Sequence, residues 1–131
     1  MKPEQFIREK GLKKAREVVE GAPEGATHYG LRQYRQWEGR ILKTFTDESW
    51  RSTAVFGGNL RFIEDDCLCI QDLKRLVESL DLVKKLGGRS GAIREYFEYV
   101  HSGKSELDIR PNELARVIRD HESIYGGGEN A

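Results

Sequence analysis

Gln33-Tyr34-Arg35-Gln36-Trp37-Glu38-Gly39-Arg40-Ile41-Leu42-Lys43-Thr44-Phe45-Thr46 decides the fold class of this 131-residue chain. Before and after it, apolar residues recur at helical spacing, whereas inside it aromatic and β-branched residues crowd both sides of Glu38-Gly39. A glycine there can take positive φ in a tight turn, so residues 34–37 and 40–46 read as a hairpin. Asp47-Glu48 makes a second turn into a third strand over residues 49–55. In the middle strand Ile41, Lys43 and Phe45 share one side and Leu42 and Thr44 the other, so neither side is wholly polar.

Downstream, residues 71–86 carry the strongest helical signal. Leu73, Leu76, Val77, Leu80 and Val83 fall on one face, while Lys74, Arg75, Glu78, Asp81 and Lys84 fall on the opposite one. Burial of each apolar side chain contributes about 1.5–3 kcal/mol, enough to make this helix a packing centre but not to fold it alone. Asp72 suits its first turn, Lys84 and Lys85 its last, and Gly87-Gly88 its end. Residues 67–70 read as an extended entry to it, Glu64-Asp65-Asp66 as a turn, and residues 60–63 as a further short strand. Ser90 is a plausible N-cap for a following helix with Ile93, Tyr96, Phe97 and Val100 on one face. Pro111 opens a last helix, striped by Leu114, Val117, Ile118 and His121 or Ile124, to about Tyr125.

Upstream, Pro3 and Glu4 start a short helix that Gly11 stops. Leu12, Ala15, Val18 and Val19 restart the stripe, and Gly21 with Pro23 ends it. Ala26 to Tyr29 holds a short extended piece. The expectation is an α+β fold: one domain over residues 1–125, with a three- or four-stranded antiparallel meander packed against N-terminal and three C-terminal helices, and a flexible tail over 126–131.

Lys plus Arg and Asp plus Glu both number 22, so formal net charge is zero and no global field recruits nucleic acid or anionic lipid. Near-zero charge leaves a homodimer open. The apolar runs are too short for a membrane span, and no leader pattern precedes them, so no membrane partner is expected. Cys67 and Cys69 are too few and too close for a disulfide framework and read as small buried hydrophobes; a structural zinc site wants four ligands, so neither metal nor cofactor is expected. His28 lacks a Ser, Cys or carboxylate at a recognisable spacing and reads as structural. The acidic pairs lie at turns, Gly57-Gly58 and Gly87-Gly88 lack the spacing and lysine of a phosphate loop, and no catalytic residue is nominated.

The surface that invites function is local. Arg32, Arg35, Arg40 and Lys43 interleave with Tyr34 and Trp37, and Glu38 is the only acid between Leu31 and Phe45. These six form the expected partner-binding face, since Trp, Tyr and Arg anchor interfaces. A host protein is the expected partner of a non-enzymatic binding protein. Single-stranded nucleic acid is the alternative, because a basic, aromatic sheet also suits phosphates and stacked bases. A small metal- or thiol-dependent enzyme using Cys67 and Cys69 is the second alternative. The last helix carries Arg116 and Arg119, but Glu113, Asp120 and Glu122 blunt it as a reader of duplex DNA.

Phe6-Ile7-Arg8-Glu9, Gly11-Leu12, Ala15-Arg16-Glu17-Val18-Val19 and Ala22-Pro23-Glu24-Gly25-Ala26-Thr27-His28-Tyr29 together resemble the opening of small accessory proteins encoded by phages and prophages of enteric bacteria. Ile109-Arg110-Pro111 leading into Leu114 and Ile118 resembles them too. The resemblance implies a setting, the cytoplasm of a bacterial host cell in which such early-region proteins bind host factors. It transfers no site residue.

Overall fold

The computed structural model describes residues 1–39, 41–52, 59–102 and 111–126. Among them are six helices and five strands, an α+β fold. The chain divides into two compact units, residues 1–74 and 75–131, with the boundary inside the long helix.

In the first unit, α1 (Pro3–Lys10) and α2 (Leu12–Glu20) are separated by Gly11, whose φ of 91° suits a residue without a Cβ. The Gly11 N–H still donates to Ile7 O at 2.8 Å, so the first helix is closed while the chain is re-aimed into the second. Phe6, Ile7, Ala15 and Val18 are buried, the stripe their spacing predicts.

The sheet runs β4-β3-β2-β1-β5, with every neighbouring pair antiparallel. Its strands are β1 (His28–Gly30), β2 (Gln33–Glu38), β3 (Ile41–Thr46), β4 (Ser49–Ser52) and β5 (Leu68–Cys69). The β2-β3-β4 meander forms, with one turn as expected and one displaced: Thr46 pairs with Ser49 across Asp47-Glu48, whereas Glu38, expected in the first turn, is the last residue of β2 and pairs with Ile41. The remainder of the expected third strand, residues 53–55, lies outside the described residues. Five strands rather than three or four arise because β1 and β5, three and two residues long, join the meander's other edge. Strands that short carry no readable alternation.

Residues 60–66, expected as a strand and a turn, are instead α3 (Asn59–Asp66). Ile63 is its buried residue, and it packs with Leu42 and Cys67 beside Trp37 and Phe62. One sheet face thus meets α3. The other meets α1, α2 and the segment after them: Phe6 packs edge-on to Tyr29 at 6.2 Å, the Tyr34 hydroxyl donates to Val18 O, and Trp50 Nε1 donates to Glu24 O. A sheet covered on both faces needs apolar residues on both, which is why β3 lacks a clean alternation. Gly30 allows the close approach of β1 to the α3–β5 corner, since a Cβ there would lie 2.5 Å from Asp66 O and 2.6 Å from Cys67 Sγ.

The long helix α4 (Ile70–Lys85) has the expected buried face of Leu73, Leu76, Val77, Leu80 and Val83. In the second unit, α5 (Gly88–Ser102) begins two residues before Ser90, so that serine is interior rather than a cap. The expected face of α5 is also corrected. Ala92 is fully buried and packs with Val83 and Val117, while Phe97 and Val100 are exposed. The helix turns its small N-terminal residues inward. α6 (Pro111–Tyr125) buries Leu114, Val117, His121 and Ile124. Of the expected tail, residues 126–131, Gly126 donates its N–H to Glu122 O at 2.7 Å and so closes α6, and the rest lies outside the described residues.

Candidate functional site

The expected partner face does not form as one surface. Successive residues of a strand point to opposite sides, so Tyr34 and Arg35 cannot share a face. Arg35 and Trp37 lie on the side that meets α3, and Tyr34 and Lys43 on the side that meets the N-terminal helices. Arg35 is 6 % exposed. Its guanidinium donates to Thr44 Oγ1 at 2.8 Å and to Gly30 O at 3.4 Å, and it lies 4.9 Å from the ring centroid of Phe62. These hydrogen bonds and the cation–π contact offset the cost of burying its charge and hold it as a structural arginine. Trp37 is half-buried against Leu42, Ile63 and Cys67. Lys43 is half-buried, and Arg40 lies outside the described residues. Tyr34 Oη donates to Val18 O at 2.6 Å, and burial, with Tyr29 second, raises its pKa. Of the six, Arg32 is the described residue that remains exposed.

Arg32 belongs to a different site. A pocket of about 510 Å³ opens beside the β1–β2 turn, within the size range of small-ligand sites. Its floor is Phe6, Tyr29 and Leu68, of which Phe6 and Leu68 are buried. Met1, Gly30 and Leu31 also line it, and its charged side chains are Lys10, Lys14 and Arg32; the Met1 ammonium donates to Glu64 O, Asp65 O and Cys67 O. The lining includes no carboxylate, thiol or imidazole. The three cations come from three elements: the end of α1, the start of α2 and the β1–β2 turn. All three are exposed; Lys14 has a loose ion pair with Glu17 at 4.0 Å, of the kind that contributes little.

Local preferences are set aside around this pocket. Gly30 pairs with Gln33, so β1 and β2 are joined by the two-residue loop Leu31-Arg32, with φ of 51° and 64°. Positive φ at both centres marks a type I′ turn, a place for Asn and Gly rather than a branched apolar and a long cationic side chain. Asp47-Glu48 has the same φ signs, and Glu48 is as unsuited to them as Arg32; what sets the β1–β2 turn apart is Leu31, because aspartate tolerates that conformation better than leucine does. Leu31 is moreover 66 % exposed. Across the pocket, the first turn of α2 carries Lys13 and Lys14, has no acidic residue and has no side-chain cap, a charge arrangement that opposes the helix dipole by about 0.3–1 kcal/mol. Rule-breaking residues that converge on one cavity are a signature of function.

The remaining polar clusters are structural. Ser79 Oγ donates to Asp120 Oδ2 at 2.7 Å, and Arg75 Nε lies 3.4 Å from the same oxygen. Ser79 is 2 % exposed, so burial closes its hydroxyl off from a substrate. Burial pushes the Cys67 thiol up to about 11, which Arg35 offsets only in part. No group of three potential metal ligands occurs among the described residues, and no described helix is long and apolar enough to cross a membrane.

Sequence reasoning reached Arg32 but not Lys10, Lys14, Phe6, Tyr29 or Leu68, which come together only when β1 and β5 join the sheet. The legible signal was Leu31-Arg32 itself, two side chains unsuited to a tight turn. Comparison with protein-family models, with curated proteins and with solved structures finds no match to this chain.

Proposed function

We propose that this protein acts by binding a partner protein, a host factor in the phage or prophage setting that the N-terminal sequence resembles, and that it engages that partner at the pocket beside the β1–β2 turn. The observation that carries this reading is an apolar cavity whose charged lining is cationic throughout: Lys10, Lys14 and Arg32. Such a surface offers an apolar anchor point together with electrostatic selection of an anionic partner. It replaces the meander face as the contact surface while keeping the functional class.

The test is affinity capture from a bacterial lysate with the wild-type chain and with a Lys10→Glu/Lys14→Glu/Arg32→Glu variant, each with and without nuclease. All three residues are exposed, so the variant should fold. A protein retained by the wild type, lost by the variant and unaffected by nuclease supports the reading. Retention of nucleic acid alone, or a protein retained equally by both chains, overturns it.

A further inference from the structure

We infer that the pocket takes an acidic peptide segment: one branched aliphatic or aromatic side chain inserted over Phe6, Tyr29 and Leu68, with flanking Asp or Glu side chains held by Lys10, Lys14 and Arg32. This rests on the proposed binding reading and names the chemistry of its partner.

Charge and shape select this occupant over others. One carboxylate would be served by one cation, but three cations from separate elements line the pocket, so the complementary ligand carries several negative charges. Leu31 projects apolar surface at the pocket edge with two thirds of its area exposed. A ligand confined to the cavity would leave it wet, whereas a chain crossing the mouth covers it. A volume of about 510 Å³ accommodates one large side chain and its adjoining backbone.

Stacked bases are disfavoured by the floor. Phe6 is 5 % exposed, and Tyr29 packs edge-on with Phe6 at 6.2 Å and with Tyr34 at 5.1 Å, so neither ring is a free stacking platform. Recognition of a phosphate would favour paired arginines with their fixed fork, and the rim offers one arginine and two lysines.

The strained turn fits the same role. A two-residue loop holds Leu31 and Arg32 on a rigid hairpin rather than on a floppy loop, so both side chains are presented without an ordering cost for the backbone. Retaining them at positive φ sacrifices stability for presentation.

The experiment is fluorescence anisotropy with the full chain and labelled peptides of about ten residues. One peptide carries a central Leu among Asp and Glu; its controls replace Leu with Ser, replace the acids with Lys, or keep the sequence and amidate the C-terminus. A single-stranded oligonucleotide of similar length is the nucleic-acid arm. The acidic Leu peptide should bind roughly tenfold or more tighter than the Ser and Lys controls, with amidation neutral. Its affinity should weaken as salt rises, and fall about tenfold or more in Lys10→Glu/Lys14→Glu/Arg32→Glu. Leu31→Ser should weaken the Leu peptide while sparing the Ser control.

Equal binding of the Leu and Ser peptides, dependence on a free C-terminus, or oligonucleotide binding that exceeds peptide binding overturns the inference. If no peptide binds but the triple variant still loses a captured protein, the ligand class is wrong and the binding reading stands. If the variant loses nothing in either assay, both fall.

Discussion

The guanidinium of Arg35 lies 4.9 Å from the ring centroid of Phe62, beneath α3 and away from solvent. Its hydrogen bonds to Thr44 Oγ1 and Gly30 O tie β2 to both of its neighbours at a level where strand alternation would suit an apolar residue. Arg35→Ala should therefore cost about 2–4 kcal/mol, from lost charge-assisted hydrogen bonds, lost cation–π contact and a cavity. Arg32→Ala, on an exposed turn, should cost nothing. Urea midpoints of the two variants check this. Equal stability would mean that Arg35 is solvated.

The same arginine shows where sequence reading stops. The helices α1, α2, α4 and α6 and the β2-β3-β4 meander were legible because each is long enough for its periodicity or marked at its ends by Pro or Gly. Arg35 in a run with Tyr34, Trp37 and Lys43 looks like a basic surface. Whether Arg35 meets solvent depends on α3, and Asn59-Leu60-Arg61-Phe62-Ile63-Glu64-Asp65-Asp66 is too short to declare itself a helix before Ile63 finds Leu42 and Cys67. The pocket was illegible for a related reason. Phe6 and Leu68 sit in different elements more than sixty residues apart, and only the pairing of β1 with β5 brings Leu68 to Tyr29.

The two thiols should differ in reactivity. Cys67 is 2 % exposed, and its thiol is pushed up to about 11 mainly by burial, whereas Cys69 is half-buried on the edge strand. At about pH 8 an alkylating agent should label Cys69 first, with Cys67 labelled only on unfolding; mass spectrometry of timed samples reads the order. The unfolded thiol ionises near 9.0, and burial makes the native one hold its proton to about 11. The unfolded state thus binds fewer protons in that window, and stability should fall as pH rises through it. Faster labelling of Cys67 than of Cys69 would refute the burial assignment.

Acid should destabilise the fold through His28 and His121. Burial lowers the pKa of each: for His28 Asp72 opposes the shift, and for His121 Arg89 adds to it while Glu122 opposes it. A depressed native pKa means that stability is present above the unfolded value of 6.5 and is lost as pH falls through the lower native value, because the unfolded state takes up the proton first. His121 has the stronger structural case, at 4 % exposure with Nδ1 buried and unpartnered among the described residues. The drop in urea midpoint between about pH 7.5 and pH 5 should be smaller in His28→Gln/His121→Gln than in the wild type. An unchanged slope would assign the acid sensitivity to carboxylates instead.

Leu31-Arg32 sets stability against binding in a way that one variant can separate. Both residues occupy the left-handed region, where a β-carbon is strained by about 1–2 kcal/mol per residue, and Asn-Gly is the sequence that a type I′ turn favours. Leu31→Asn/Arg32→Gly should therefore raise stability by about 1–2 kcal/mol, seen as a higher urea midpoint at unchanged slope. The same change deletes the exposed apolar side chain and one of the three cations at the pocket, so affinity for an anionic partner should fall as stability climbs. A chain selected for stability alone would have no reason to keep the native pair. If the variant is no more stable, the positive φ values carry no strain; if it is more stable and binds undiminished, the pocket beside the turn is not the contact surface.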